Sequence, residues 1–149
     1  MVDERTEQQI LHHLIDVCEN GERGFLAATD HVTHPGLKTL FTELSGERAQ
    51  FAAELLPHLQ RLGGRSDHGG TSAGTLHRGW IGLKSLLSGP HHDHAVVTEA
   101  ERGEQLAIDA YDEALSGMLP PTVISLIERQ RDTMKEDNER IRSIDMGYS

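Results

Sequence analysis

Apolar residues recur along this chain at intervals of three and four, the period of an α-helix packed on one side. The first such stretch predicts a helix over 4–31, with Ile10, Leu14, Val17 or Cys18, Gly21, Phe25 and Thr29 or Val32 along one face. His34-Pro35-Gly36 ends it, because the residue before a proline is pushed out of helical geometry. Pro35 then suits the first turn of a second helix, predicted over 36–62. Its stripe is Leu37, Leu40/Phe41, Leu44, Glu47/Arg48, Phe51, Leu55, Leu59 and Leu62. Pro57 is expected to kink or shorten this helix, and Gly63-Gly64 to stop it. After a polar stretch at 65–70, Thr71 or Ser72 can cap a shorter helix over 72–88 that carries Leu76, Trp80, Leu83 and Leu87. Asp93 is placed to cap a helix over 93–117, along Val97, Ala100/Glu101, Glu104, Ile108, Tyr111 and Leu115. Pro120-Pro121 precedes a last helix over 121–145, along Ile124, Ile127, Arg131, Met134, Asn138, Ile141 and Ile144.

No strand alternation stands out. The pattern predicts an all-α fold: an up-and-down four-helix bundle in one domain over 1–149, with the short helix inserted in the crossover between helices 2 and 3. A net charge of -10 argues against non-specific nucleic-acid binding, which needs a basic face. No apolar run reaches the length of a membrane span. The acidic start, Met1 to Arg5, has no apolar stretch behind it, and Cys18 is the single cysteine. A cytoplasmic protein without a signal peptide or internal disulfide is therefore expected. Gly74, Gly79 and Gly82 leave a helix surface that could support a homodimer.

Four Glu-Arg pairs punctuate the four long patterns: Glu22-Arg23, Glu47-Arg48, Glu101-Arg102 and Glu128-Arg129. The first two glutamates are 25 residues apart and the last two 27 apart, which reads as a repeated helix hairpin. Aligned, Cys18, Glu22, Phe25, Thr29 and Val32 correspond to Val97, Glu101, Glu104, Ile108 and Tyr111, and Glu47 corresponds to Glu128. Glu22, Glu47 and Glu104 each interrupt an apolar stripe, so bundling is expected to bring carboxylates together at one level. Such a cluster must be relieved by protons, arginines or cations. Adjacent residues on a helix point apart, so the arginine beside each glutamate is expected to serve a glutamate on another helix. An all-oxygen ligand set with few imidazoles would suit iron, manganese, calcium or magnesium better than zinc.

With these residues in hand, the chain resembles a ferritin-like four-helix-bundle family related in layout to rubrerythrins and bacterioferritins. The resemblance spans Glu7 to Arg142; its most distinctive stretches are Leu76-His77-Arg78-Gly79-Trp80-Ile81-Gly82-Leu83-Lys84 and Leu119-Pro120-Pro121. It implies a di-metal site of iron or manganese in which one helix pair supplies a glutamate each and the other pair a Glu-x-x-His each. Glu22 matches the first-helix ligand, and Glu101-x-x-Glu104 is similar to the third-helix Glu-x-x-Glu of rubrerythrins. The second helix departs, with Glu47-x-x-Gln50, and so does the fourth, with Glu128-x-x-Arg131. Gln50 offers a weak carbonyl ligand, whereas Arg131 repels a cation and could itself pair with Glu22, Glu101 or Glu104.

Two readings follow. In one, the bundle is non-catalytic, with an internal Glu/Arg network centred on Arg131, acting in interaction or stress response. In the other, Glu22, Glu47, Gln50, Glu101, Glu104 and Glu128 hold iron or manganese for oxidase, peroxidase or storage work. The remaining chemistry reads as structural. His91-His92-Asp93-His94 is expected in an exposed turn, and His12-His13 in solvent. Glu54 and His58 form a surface pair, His77 packs or caps, and Cys18 is a buried inert thiol. Gly69 to Gly74 lacks the lysine and the preceding strand of a phosphate-binding loop.

Overall fold

The computed structural model describes residues 5–64 and 92–148, all but the turns of which are helical. The helices are α1 (Glu7–His31), α2 (Pro35–Arg61), α3 (His92–Leu115) and α4 (Pro121–Tyr148). The four long patterns are thus found within a few residues of their predicted bounds. The helix expected over 72–88, with His77, Trp80 and the glycines assigned to a dimer surface, lies outside the described residues, as does His91.

Local chemistry explains each boundary. Thr6 caps α1: its hydroxyl accepts from the Gln9 N–H, and the Gln9 side chain accepts from the Thr6 N–H, a reciprocal capping box. The His34 ring caps α2, its Nδ1 accepting from the Gly36 N–H at 2.9 Å, with Pro35 in the first turn. At the far end of α2, Gly63 takes φ +83°, and the N–H groups of Gly63 and Gly64 reach back to the carbonyls of Gln60 and Leu59. This Schellman closure needs a residue free of a Cβ. Pro57 does not shorten α2, which runs on past it with the ring on the exposed side. Asp93, expected as the cap of its helix, lies within the first turn of α3. Its carboxylate accepts from the N–H groups of Thr33 and His34 and from the Thr33 hydroxyl, tying the α1–α2 turn to the first turn of α3.

Pairings along the helices set the topology. Glu7 meets Arg61 at 2.8 Å, and the Ser45 hydroxyl donates to the Glu22 carbonyl, so α1 and α2 are antiparallel. Asp93 near His34 and Tyr111 near Cys18 make α3 antiparallel to α1. Glu43 with Arg140 and Glu54 with Arg129 make α4 antiparallel to α2. Each helix packs chiefly on two others, in the cyclic order α1, α2, α4, α3. Arg61 and Asp93 lie at opposite ends, so the alternation holds within each hairpin and is interrupted at the crossover, where α2 and α3 run parallel.

The core has two apolar parts. One gathers Ile10, Leu14, Cys18, Phe51, Leu55, Tyr111 and Met134. The other gathers Phe25, Phe41, Leu44, Val97, Ala100 and Ile141. Between them lies a layer of buried charge. Among the described residues no helix is long and apolar enough to cross a membrane.

Candidate functional site: a buried guanidinium between four helices

Arg48 is the centre of this layer and is 1% exposed. Its position in the α2 stripe, four after Leu44 and three before Phe51, turns it inward. Gly21 of α1 makes room for it: a Cβ there would stand 3.2 Å from Arg48 Cγ, so the arginine stem lies against bare backbone. The guanidinium carbon sits 5.4 Å from the Phe25 ring centroid and 5.6 Å from that of Phe51, one ring from each apolar part. Such contacts favour a desolvated cation.

Carboxylates close round its edge. Nη1 donates to Glu104 Oε1 at 2.5 Å and Nη2 to Glu104 Oε2 at 2.7 Å, a bidentate pair with α3. Nη2 also donates to Asp137 Oδ2 of α4 at 3.0 Å and to Glu47 Oε1 of α2 at 3.3 Å. The long side chains thus let Arg48 meet its own sequence neighbour as well as two other helices. Asp137 Oδ1 lies 3.5 Å from Arg140, whose other face holds Glu43 at 2.8 Å. Arg48 Nε has no hydrogen-bond partner.

The electrostatics follow from burial. Desolvation alone would lower the Arg48 pKa; the charge and hydrogen bonds of Glu104, helped by Glu47 and Asp137, outweigh it and hold the guanidinium charged. Burial raises the Glu104 carboxyl above the ordinary range, against the pull of Arg48. Both Glu104 oxygens accept from Arg48, so the pair is ionised. Glu47 is pushed up to about 8 by burial and by a hydrogen bond with Asp137, with Arg48 opposing. It therefore keeps its proton to higher pH than an ordinary glutamate.

A second buried chain lies about two turns away along α3 and α4. Cys18 Sγ and Tyr111 Oη are 3.0 Å apart, and Tyr111 donates to Gln130 Oε1 at 2.6 Å. Gln130 Nε2 donates to the Phe51 carbonyl and to Glu54, which also holds Arg129. Glu54 is thus turned towards α4, not towards His58. Burial pushes the Cys18 thiol up to about 12 and Tyr111 well above its ordinary value, so both are neutral hydrogen-bonding groups. Tyr111→Phe would leave Gln130 Oε1 without its donor. It is expected to lower unfolding free energy by about 1–2 kcal/mol, measured by urea denaturation.

Of the residues expected at the site, the structure brings together Glu47 and Glu104. Glu22 and Glu101 are half-buried, while Gln50 and Glu128 are exposed. Arg131 is not the centre of the network: it pairs with Asp112 and with its neighbour Asp132 near the surface. The repeat explains the error in α4. Burial aligns Phe51 with Gln130 and Leu55 with Met134, two positions out of step with the pairing of Glu47 and Glu128. The 27-residue spacing, against 25 in the first hairpin, already carried that slip. Asp137, Gln130 and Gly21 supply the site with groups the motif reading did not assign.

The donor set does not fit the di-metal centre the resemblance implied. Both Glu104 oxygens and Asp137 Oδ2 are engaged by Arg48, which holds a positive charge where an ion would sit. Among the described residues, no group of three His, Cys, Asp or Glu side chains is placed to hold a metal ion. Two surface grooves, of about 530 Å³ beside His12, His13 and Asp16 and about 340 Å³ beside Thr39, Glu43 and Arg140, do not open onto Arg48.

Residues 6–117, which contain α1, α2 and α3, match the family described as "Domain of unknown function (DUF2383)". No curated protein matches the chain.

Proposed function

We propose for this chain, which belongs to the DUF2383 family, a non-catalytic role as a ferritin-like helical bundle, held by an internal Glu/Arg network and working through its outer surface in interaction or stress response. The ferritin-like assignment is supported by two antiparallel hairpins joined by one crossover between opposite ends, a layout that such bundles share. The non-catalytic reading rests on one observation: the inward carboxylates of α2, α3 and α4 are already engaged by Arg48. Chemistry on a substrate needs a group the substrate can reach, and Arg48 and Glu104 are each 1% exposed. Cys18, with its thiol held protonated, offers no nucleophile.

Metal analysis of the full chain, purified without chelator, tests this reading against a di-metal carboxylate protein with oxidase, peroxidase or storage activity. Iron and manganese are expected far below the roughly two ions per chain of a di-metal centre, and neither ion should shift the melting temperature. Stoichiometric metal together with a stabilising shift would overturn it.

A further inference from the structure

We infer that the C-terminal half of α4, from Asp137 onward, is a strap latched to α2 by a hydrogen bond between the carboxyl groups of Glu47 and Asp137, and that alkaline pH releases it. The inference goes beyond the non-catalytic reading and does not rest on it. Two observations separate this half of α4 from the other. The first is apolar anchoring. On one side of the charged layer α4 buries Val123, Ile127 and Met134 in the first apolar part, and Gln130 ties it to Tyr111 and to the Phe51 carbonyl. On the other side, among the described residues, it gives the second part Ile141 alone, with Ile144 partly buried against it. The second observation is the seam itself. A groove of about 340 Å³ runs between Pro35, Gly36 and Leu40 of α2 and Arg140 and Ile144 of α4, so the two helices do not close on each other there.

What holds the strap is therefore chiefly polar. Arg140 meets Glu43 at 2.8 Å, and Asp137 meets Arg48 at 3.0 Å and Arg140 at 3.5 Å. Glu47 adds its hydrogen bond with Asp137. A hydrogen bond between two carboxyl groups exists only while one of them keeps its proton; once both are ionised, the contact becomes a repulsion between like charges. The Glu47 side chain is 24% exposed and that of Asp137 3%, so solvent reaches the pair from the α2 side without the bundle unfolding. The charged groups around the pair are Arg48 of α2, Glu104 of α3 beyond it, and Arg140 of α4, while α1 turns Gly21 and Phe25 towards the same guanidinium. Both arginines already hold a carboxylate, Glu104 in one case and Glu43 in the other, so a new charge on Glu47 meets cations that are engaged. A helical segment released from its neighbours does not keep its own hydrogen bonds in water, so its backbone amides report the opening.

The test follows amide hydrogen exchange of the full chain, wild type and Glu47→Gln, at about pH 6 and about pH 8, corrected for the intrinsic pH dependence of exchange and repeated in low urea. In wild type the amides of 138–144 are expected to exchange through an opening that urea hardly accelerates, unlike those of α1 and of 123–134, which wait for global unfolding. Their protection should fall about tenfold or more between the two pH values, because the closed strap binds a proton that the open strap has lost. Glu47→Gln keeps the hydrogen bond without the titration, and its strap should lose less than about threefold. The inference is overturned if 138–144 match α1 in protection and urea response, since no separate strap then exists. It is overturned equally if strap protection ignores pH or falls as far in Glu47→Gln, since ordinary fraying of a helix end would then govern it.

Discussion

Replacing Arg48 with methionine is expected to lower unfolding free energy by about 3–5 kcal/mol, the usual penalty for breaking a buried ion pair by removing one partner. Methionine refills much of the volume and keeps the contact with Phe25 and Phe51, so the loss reports charge more than packing. What remains is Glu104, wholly buried with both oxygens deprived of donors, and Asp137, left with Arg140 and its hydrogen bond with Glu47. At about 2–4 °C per kcal/mol for a chain of this size, the melting temperature should fall by roughly 6–20 °C. The companion variant decides the interpretation. Arg48→Met/Glu104→Leu/Asp137→Leu removes the whole triad, and it should recover to within about 1 kcal/mol of wild type or exceed it, because buried ionic groups are often replaceable by apolar ones. Urea denaturation of both variants at constant ionic strength measures this. A single variant as stable as wild type, or a triple variant no better than the single, would mean that the guanidinium does not neutralise the layer.

Stability should decline as pH rises from about 5 towards 8, and Glu47 should be the cause. Burial, then the hydrogen bond with Asp137, raise the Glu47 carboxyl from an ordinary 4.5 to about 8 in the folded chain, against the opposing pull of Arg48. Between those values the folded state binds a proton that the unfolded state has lost. Unfolding free energy therefore falls with rising pH across that window, at up to about 1.4 kcal/mol per pH unit. The contribution is fully present below 4.5 and lost above 8. Glu47 is 24% exposed, so the total is put at about 2–4 kcal/mol, short of the full shift. Glu104, also raised, acts in the same direction. Glu47→Gln keeps the shape of the protonated acid without its titration. Its stability profile should be flatter than that of wild type over this range and cross above it near pH 8. Parallel profiles for the two proteins would refute the assignment.

The arrangement of the layer suggests why a sequence reading could approach it and still misplace its centre. The stripe of α2 offered Glu47 or Arg48 at one place, and that of α3 contained Glu104, because each interrupts a run of apolar residues. In α4 the stripe Ile127, Met134, Ile141 is joined equally well by Arg131 and Asn138 or by Gln130 and Asp137, since steps of three and four are interchangeable at a period of 3.6. The structure buries Gln130, Asp137 and Asn138 and leaves Arg131 near the surface. A rotation of about 100° per residue separates the two choices, and only the partners across the bundle select between them. The same ambiguity set Glu128 against Glu47.

What this chain's sequence determined by itself is the set of long helices and their ends. Capping residues, prolines, glycines and the apolar period are local and act within a few residues of where they stand. What the tertiary structure decided is which charged side chains meet. Arg48, Glu104 and Asp137 lie 56 and 89 residues apart along the chain from the arginine. Their meeting depends on the rotation and level of three helices, settled by the packing of the two apolar parts above and below them. Charge is costly to bury alone, so the packing that hid one guanidinium had to bring its carboxylates with it.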